Sequence, residues 1–240
     1  MENTNIEKEY HYTQKYFVGY SDVDRNNRCR LSRIIDMLQN IATMHSKQVG
    51  FGTKEMMEAK LAWILLIWKI KVLKYPIADE YVEIKTWSKK LKGLHALRCF
   101  EIYDEAGNLL VMAESSWALF DLENQKPIKI PEKIVNAYGE ISREVFDAPT
   151  KKIQETLNAE FATYEFKIQK RDIDTNNHTN NSKYIEFMLE VIPDDKVITE
   201  LEVNYKKQTR YNQRLMLCYD DKLGIIKDED GDICTTIIYR

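Results

Sequence analysis

Cysteine is scarce and scattered in this chain. The four in 240 residues, Cys29, Cys99, Cys218 and Cys234, form no Cys-x-x-Cys pair, which argues for reduced thiols and against a disulfide framework or a structural zinc site. Long apolar runs are also lacking. The longest, Leu61 to Leu73, is interrupted by Lys69 and Lys71 and is too short to cross a bilayer, so it reads as a strand and no membrane association is expected. Excess positive charge is missing too, the net balance being −3, which excludes nucleic-acid binding by bulk electrostatics. Met1 to Lys8 has no apolar core, so no signal peptide is read there and a cytoplasmic location is expected. No Gly-x-Ser-x-Gly elbow occurs, which removes one common serine nucleophile. Asp228-Glu229-Asp230-Gly231-Asp232 begins like a calcium loop, but no glutamate follows at the required spacing, so a solvated hairpin turn is expected, with no metal and no cofactor.

What the chain does have is one dense polar stretch. Between Lys170 and Asn181 it sets two carboxylates, four amides and an imidazole ahead of Tyr184, Ile185, Met188 and Leu189, which recur at helical spacing. Polar side chains at that density compete with the backbone for hydrogen bonds, so the first part reads as a loop feeding a buried helix. The stretch has a counterpart near the other end. Asp22, Asp24, Asn26, Asn27, Ser32 and Ile35 match Asp172, Asp174, Asn176, Asn177, Ser182 and Ile185 without a gap, and Arg28 stands opposite His178. The chain therefore contains an internal repeat of which one copy carries an imidazole, the ordinary side chain that exchanges protons near neutral pH.

Each copy predicts the same order of elements. In the first, a strand over Tyr10 to Gly19 and the Asp22 to Arg30 loop precede a helix from Leu31 that Gly50 and Gly52 stop. Strands then follow over 61–73, 80–88, 94–104 and 109–121, with Glu105 to Asn108 as a hairpin turn. In the second, a strand over 160–169, the loop, a helix over 183–192 and strands over 197–207, 214–220, 223–227 and 233–239 repeat the scheme. One long helix wrapped by an antiparallel sheet is an α+β arrangement, the hotdog plan, here twice in tandem. Two prolines in Lys126 to Pro131 close the first copy. The expected domains are 1–131 and 160–240, with the charged, weakly periodic 132–159 as linker.

Asp174, Asn176 and His178 alternate, so in an extended segment they project to one side. A carboxylate can orient an imidazole, an amide can donate to an oxygen that becomes negative, and a histidine can shuttle the proton. Capping and turn formation account equally well for the Asp and Asn residues, which recur in the copy without the histidine. His45, on the apolar helix face, reads as a core histidine or pocket liner, and His11 and His95 lack a telling partner.

Asp174 to Tyr184, followed by Leu189-Glu190, closely resembles the active-site motif of the acyl-acyl carrier protein (ACP) thioesterases. The resemblance extends to the first helix, the Trp63 strand, Ala113 to Asp121 and Lys126 to Pro131, in family order. It implies a double-hotdog fold and hydrolysis of fatty acyl-ACP to free fatty acid and holo-ACP, ending fatty-acid synthesis, with Asp174, Asn176 and His178 catalytic. The Glu-Cys pair of the plant enzymes is replaced by Gln208 and Thr209, so a cysteine nucleophile is not expected, water attacks directly, and Gln208 only orients it. Asn176 and backbone amides at the helix start would hold the thioester oxygen, and replacing Thr209 should matter little. The first copy would bind the acyl chain through Met37, Ile41, Met44, Trp63, Leu65, Ile67, Trp87 and Trp117. An acidic carrier protein with its 4'-phosphopantetheine arm implies a basic rim, for which Arg28, Arg30, Arg33, Lys206, Lys207 and Arg210 are the candidates. Pairing of two chains as a homodimer is left open. The rival readings are a non-catalytic acyl-thioester-binding hotdog and a hotdog 3-hydroxyacyl dehydratase.

Overall fold

The computed structural model describes residues 11–148, 150–154, 156–157, 161–193 and 195–240. Expectations that touch Met1 to Tyr10 or Glu160 lie outside the described residues. Strand β1 (His11–Phe17) leads through a one-turn 3-10 segment and the first polar loop into α1 (Leu31–Gln48). After α2 (Thr53–Glu58) come β2 (Leu61–Val72), β3 (Tyr81–Lys92), β4 (His95–Asp104) and β5 (Leu109–Asp121), then the two-residue β6 (Lys126–Pro127) and α3 (Glu132–Tyr138). The second copy runs β7 (Ala162–Lys167), α4 (Asn181–Leu189), β8 (Glu200–Tyr205), β9 (Arg214–Tyr219), β10 (Leu223–Asp228) and β11 (Ile233–Tyr239).

Among the described residues the strands form one sheet in the order β1-β3-β4-β5-β2-β8-β11-β10-β9-β7, with β6 paired to β5. The order is a palindrome: β1, β3, β4, β5 and β2 of the first copy correspond to β7, β9, β10, β11 and β8 of the second. The join is antiparallel β2 on β8, with Ile67 opposite Asn204 and Lys71 opposite Glu200. Two units related in this way share a core, because α1 and α4 lie against each other over the same face. Ile34, Leu38 and Ile41 of α1 and Tyr184, Ile185 and Met188 of α4 belong to one buried cluster with Trp68, Phe100 and Val203 from the sheet, and Asn181 donates to Gln39 across the helix pair at 3.1 Å.

The segment expected as a linker is more structured than its weak periodicity suggests. It contains α3, whose Ile134 and Tyr138 are buried in a second cluster with Met56, Leu91, Ala96 and Leu119. Beyond α3 the chain crosses the outer face of the sheet, the face away from α1. Ile141 N–H bonds Ser88 O, Trp87 Nε1 donates to Arg143 O, Thr150 N–H bonds Glu114, Lys69 reaches Ala148 O and Ile153 N–H reaches Asn204 Oδ1. Those partners lie on β3, β5, β2 and β8, so the segment is a strap over the seam between the copies. Its contacts run through side chains and single backbone groups, which leave no hydrophobic period.

Candidate active site

The second polar loop is built by its own Asp side chains. Gln169 N–H bonds Asp172 Oδ2 at 2.7 Å, and Asp174 Oδ1 accepts from the N–H groups of Asn176 at 2.8 Å and His178 at 3.2 Å. Asn177 takes the left-handed conformation with φ 63°, which asparagine tolerates. Ile173 and Thr179 then pair in an isolated bridge. The first loop repeats this bond for bond. Gly19 N–H bonds Asp22, Asp24 Oδ1 accepts from Asn26 and Arg28, Asn27 has φ 58°, and Val23 bridges Cys29. Asp24 and Asp174 therefore occupy equivalent places, as the gapless repeat requires.

The copies differ at the second carboxylate oxygen. In the first, Arg28 closes on Asp24 Oδ2 at 3.2 Å and lies over the Tyr75 ring. In the second, neither Asp174 Oδ2 nor the His178 ring has a hydrogen bond among the described residues, and both side chains are half-buried. Partial burial holds His178 below the ordinary histidine value of about 6.5; the Asp174 charge opposes this and the Arg210 charge adds to it. The imidazole is thus neutral and ready to accept a proton near pH 7.

The loop sits at a cavity made by the first copy. Ala42, Thr43 and Ser46 of α1, Met56 of α2, Trp63 of β2, Trp117 of β5 and Tyr138 of α3 line about 280 Å³, with Thr175 and Asn176 from the second copy. Asn176 is exposed and its side-chain amide has no hydrogen bond among the described residues, so it borders the space as a donor. Two of the first amides of α4 are engaged: Asn180 Oδ1 accepts from Ser182 N–H and Asn180 O from Lys183 N–H. The Asn176 side-chain amide is a donor that lines the cavity.

Of the eight expected lining residues, Trp63 and Trp117 line this cavity. Met37, Ile41 and Leu65 are packed in the main core, and Met44 is exposed. Ile67 faces outward, because a β-bulge between Leu65 and Ile67 breaks the alternation that would have kept it beside Trp63. Trp87 is on the outer face, under the Arg143 guanidinium at 4.1 Å. The six basic candidates do not form one rim. Arg28 and Arg30 flank a separate pocket at the first loop, beside Glu186 and Lys196. Arg33 is committed to Asp22 at 2.7 Å and to Tyr16. Lys207 is clamped by Asp228 and Asp232 at 2.5 and 2.7 Å, which closes the acidic hairpin turn. Lys206, Gln208 and Arg210 are exposed on the segment that runs beside His178 and Thr179.

Two models of a known family match the chain: the acyl-ACP thioesterase N-terminal domain over residues 9–138 and the C-terminal domain over residues 155–236. The chain belongs to the acyl-ACP thioesterase family. Among curated relatives it is similar to oleoyl-acyl carrier protein thioesterase 2, chloroplastic, of Arabidopsis thaliana, at 26% identity over 82% of this chain and 59% of the relative. It is also similar to the chloroplastic palmitoyl-acyl carrier protein thioesterase of Cuphea hookeriana, at 26% identity over 82% of this chain and 51% of the relative. The chain thus spans between half and three-fifths of the length of those two relatives. Among solved structures it is similar to an acyl-ACP thioesterase from Bacteroides thetaiotaomicron, with TM-score 0.86 at 22% identity over 96% of this chain and 98% of the other. The 12:0-ACP thioesterase from Umbellularia californica gives TM-score 0.84 at 20% identity over 97% of both chains. These likenesses show the double-hotdog fold.

Within the acyl-ACP thioesterase fold, Thr209 is a residue that sequence reasoning undervalued. It is 1% exposed, its carbonyl accepts from Thr179 N–H, and its hydroxyl bonds those of Thr179 and Tyr184, each at 2.7 Å. The signal was its place just past the strand expected over 197–207; the observed β8 ends four residues before it, at Tyr205. Thr209→Ala would remove the hydroxyl that links Thr179 to Tyr184, leaving Thr179 Oγ1 only its bond to the Thr209 carbonyl at 3.3 Å, at about 1–3 kcal/mol, and would loosen the loop that carries His178. A lower melting temperature and lower turnover are expected, with Thr209→Ser restoring both. Unchanged melting would show that the hydroxyl cluster does not hold the loop.

Proposed function

We propose that the protein is a thioester hydrolase that cleaves fatty acyl-ACP to free fatty acid and holo-ACP. The observation that carries this reading is the meeting of the His178 loop of the second copy with the apolar cavity of the first at Thr175 and Asn176. The acyl chain occupies the cavity and its thioester lies at the loop. Neutral His178 takes a proton from water as the water oxygen bonds the acyl carbon, and Asn176 donates to the oxygen that becomes negative. The C–S bond then breaks, His178 returns the proton to the phosphopantetheine sulfur, and the carboxylic acid leaves. Asp174 holds the loop through Oδ1, and its charge favours the imidazolium. Lys206 and Arg210 offer positive charge beside the loop for an acidic carrier protein. Free-thiol release from a panel of acyl carrier proteins tests the proposal: binding without release would favour a non-catalytic acyl-binding protein.

The charge pattern around His178 sets the expected pH dependence. Because its neutral form is the base and its pKa is lowered, activity should persist below pH 6.5 and fall only as pH drops through the lowered value. Gln208→Glu adds a negative charge beside the loop, which favours imidazolium and should move the acid limb of kcat/KM to higher pH. Arg210→Ala should move it the same way. A several-fold rise at neutral pH in Gln208→Glu would instead mark that carboxylate as a second base.

A further inference from the structure

The wall of the cavity contains one residue that an unsubstituted hydrocarbon chain does not need. Arg98, on β4, lines the space and is 7% exposed. Its Nη1 donates to Thr86 Oγ1 at 3.1 Å and lies 2.9 Å from His45 Nδ1. His45 is itself 1% exposed and is kept neutral by burial and by the Arg98 charge, its pKa falling to about 3, so Nδ1 is an acceptor and not an anion. The Tyr138 ring stands 5.5 Å from the guanidinium carbon. Among the described residues no carboxylate pairs with Arg98, and its Nε and Nη2 make no hydrogen bond. The nearby buried carboxylates, Glu101 on β4 itself and Glu114 on β5, are engaged with Tyr103, Arg143, Lys89 and Thr150.

A guanidinium cannot shed its proton, and a buried charge without a counter-charge costs several kcal/mol. The bonds to Thr86 and His45 and the Tyr138 ring offset part of that cost, and among the described residues no negative charge offsets the rest. Trp63, which also lines the cavity, has a buried indole N–H with no partner among the described residues. Donors are thus in surplus where a purely apolar lining would suit a hydrocarbon. We propose that the cavity is built for acyl chains bearing an oxygen on the hydrocarbon part, as hydroxyl, carbonyl or carboxylate, and that Arg98 is the residue that selects them. This rests on the reading of the protein as an acyl-ACP thioesterase. His45, Thr86 and Tyr138 position the guanidinium, and the oxygen of the substrate supplies the missing acceptor. A chain without that oxygen leaves the charge unpaired, which is the basis of discrimination.

The test is a comparison of kcat/KM on acyl carrier proteins loaded with chains of one length: saturated, hydroxylated, oxo-substituted and ω-carboxylated. At least one oxygenated chain is expected to exceed the saturated one by about tenfold or more, the scale of a hydrogen bond to a charged group. A carboxylate preference would identify charge pairing, and a hydroxyl or oxo preference a neutral acceptor. Arg98→Met should bring the ratio near one, and Arg98→Lys should keep part of it. Melting shifts with the free saturated, hydroxy, oxo and dicarboxylic acids supply a readout that needs no turnover. Larger shifts with oxygenated acids but no thiol release would support the selectivity and defeat the proposed reaction. Thiol release with the saturated chain preferred, or a ratio unchanged in Arg98→Met, would overturn the role of Arg98.

Discussion

Replacing His178 by alanine is expected to lower turnover by about two to four orders of magnitude, the usual contribution of a positioned acid-base group, with the melting curve unchanged. The expectation of an intact fold comes from the site. The ring has no hydrogen bond among the described residues, is half-buried, and belongs to a loop shaped by the two Asp side chains and by the Thr179 and Thr209 pair. The expectation of a large kinetic loss comes from the same facts read chemically. An imidazole kept neutral, without a hydrogen-bond partner among the described residues and on the loop whose Asn176 borders the cavity, is suited to take a proton from water. Measurement of kcat on one acyl-ACP with both proteins decides it. Near-normal hydrolysis by His178→Ala would move the base elsewhere.

The halves of the fold were legible for a specific reason. Asp22 and Asp24, and Asp172 and Asp174, shape their loops through bonds to their own local backbone, so the pattern survives in sequence and the gapless match foretold the equivalent geometry. The β5 and β11 strands also fell where their β-branched and aromatic residues placed them, at Leu109–Asp121 and Ile233–Tyr239. Long-range structure left weaker traces. The bulge in β2 turns Ile67 outward by one extra residue, Leu66, whose apolar character is like that of its neighbours. The strap over the seam is held by groups such as Glu114 and Asn204, which read as ordinary polar residues until the sheet brings them together. α2 was not anticipated, because Gly50 and Gly52 marked a stop without showing that six residues re-enter a helix. The catalytic candidates Asp174, Asn176 and His178 do lie on one loop. The acyl-binding set was only partly legible, since core and cavity lining share the same residue types and differ only in what stands opposite them.

Asp174→Asn separates the two duties that one carboxylate performs. The amide oxygen of asparagine can still accept the N–H groups of Asn176 and His178, so the loop should keep its shape, whereas the negative charge facing the imidazole is gone. That charge raises the pKa of His178 against the effects of burial and Arg210, so its loss should depress the pKa further and destabilise the imidazolium that forms as water attacks. Turnover is expected to fall by about two to four orders of magnitude, with a remaining acid limb at lower pH. The first copy provides the control. Asp24→Asn makes the same change in an equivalent loop and removes only a partly exposed ion pair with Arg28, worth at most about 1 kcal/mol, so hydrolysis should be nearly unaffected. Equal losses in both variants would mean that the carboxylate acts as a loop staple in each copy, and normal turnover in Asp174→Asn would mean that His178 works without a charged neighbour. A large loss confined to Asp174→Asn would show that the repeat conserves the staple in both copies and uses the charge in one.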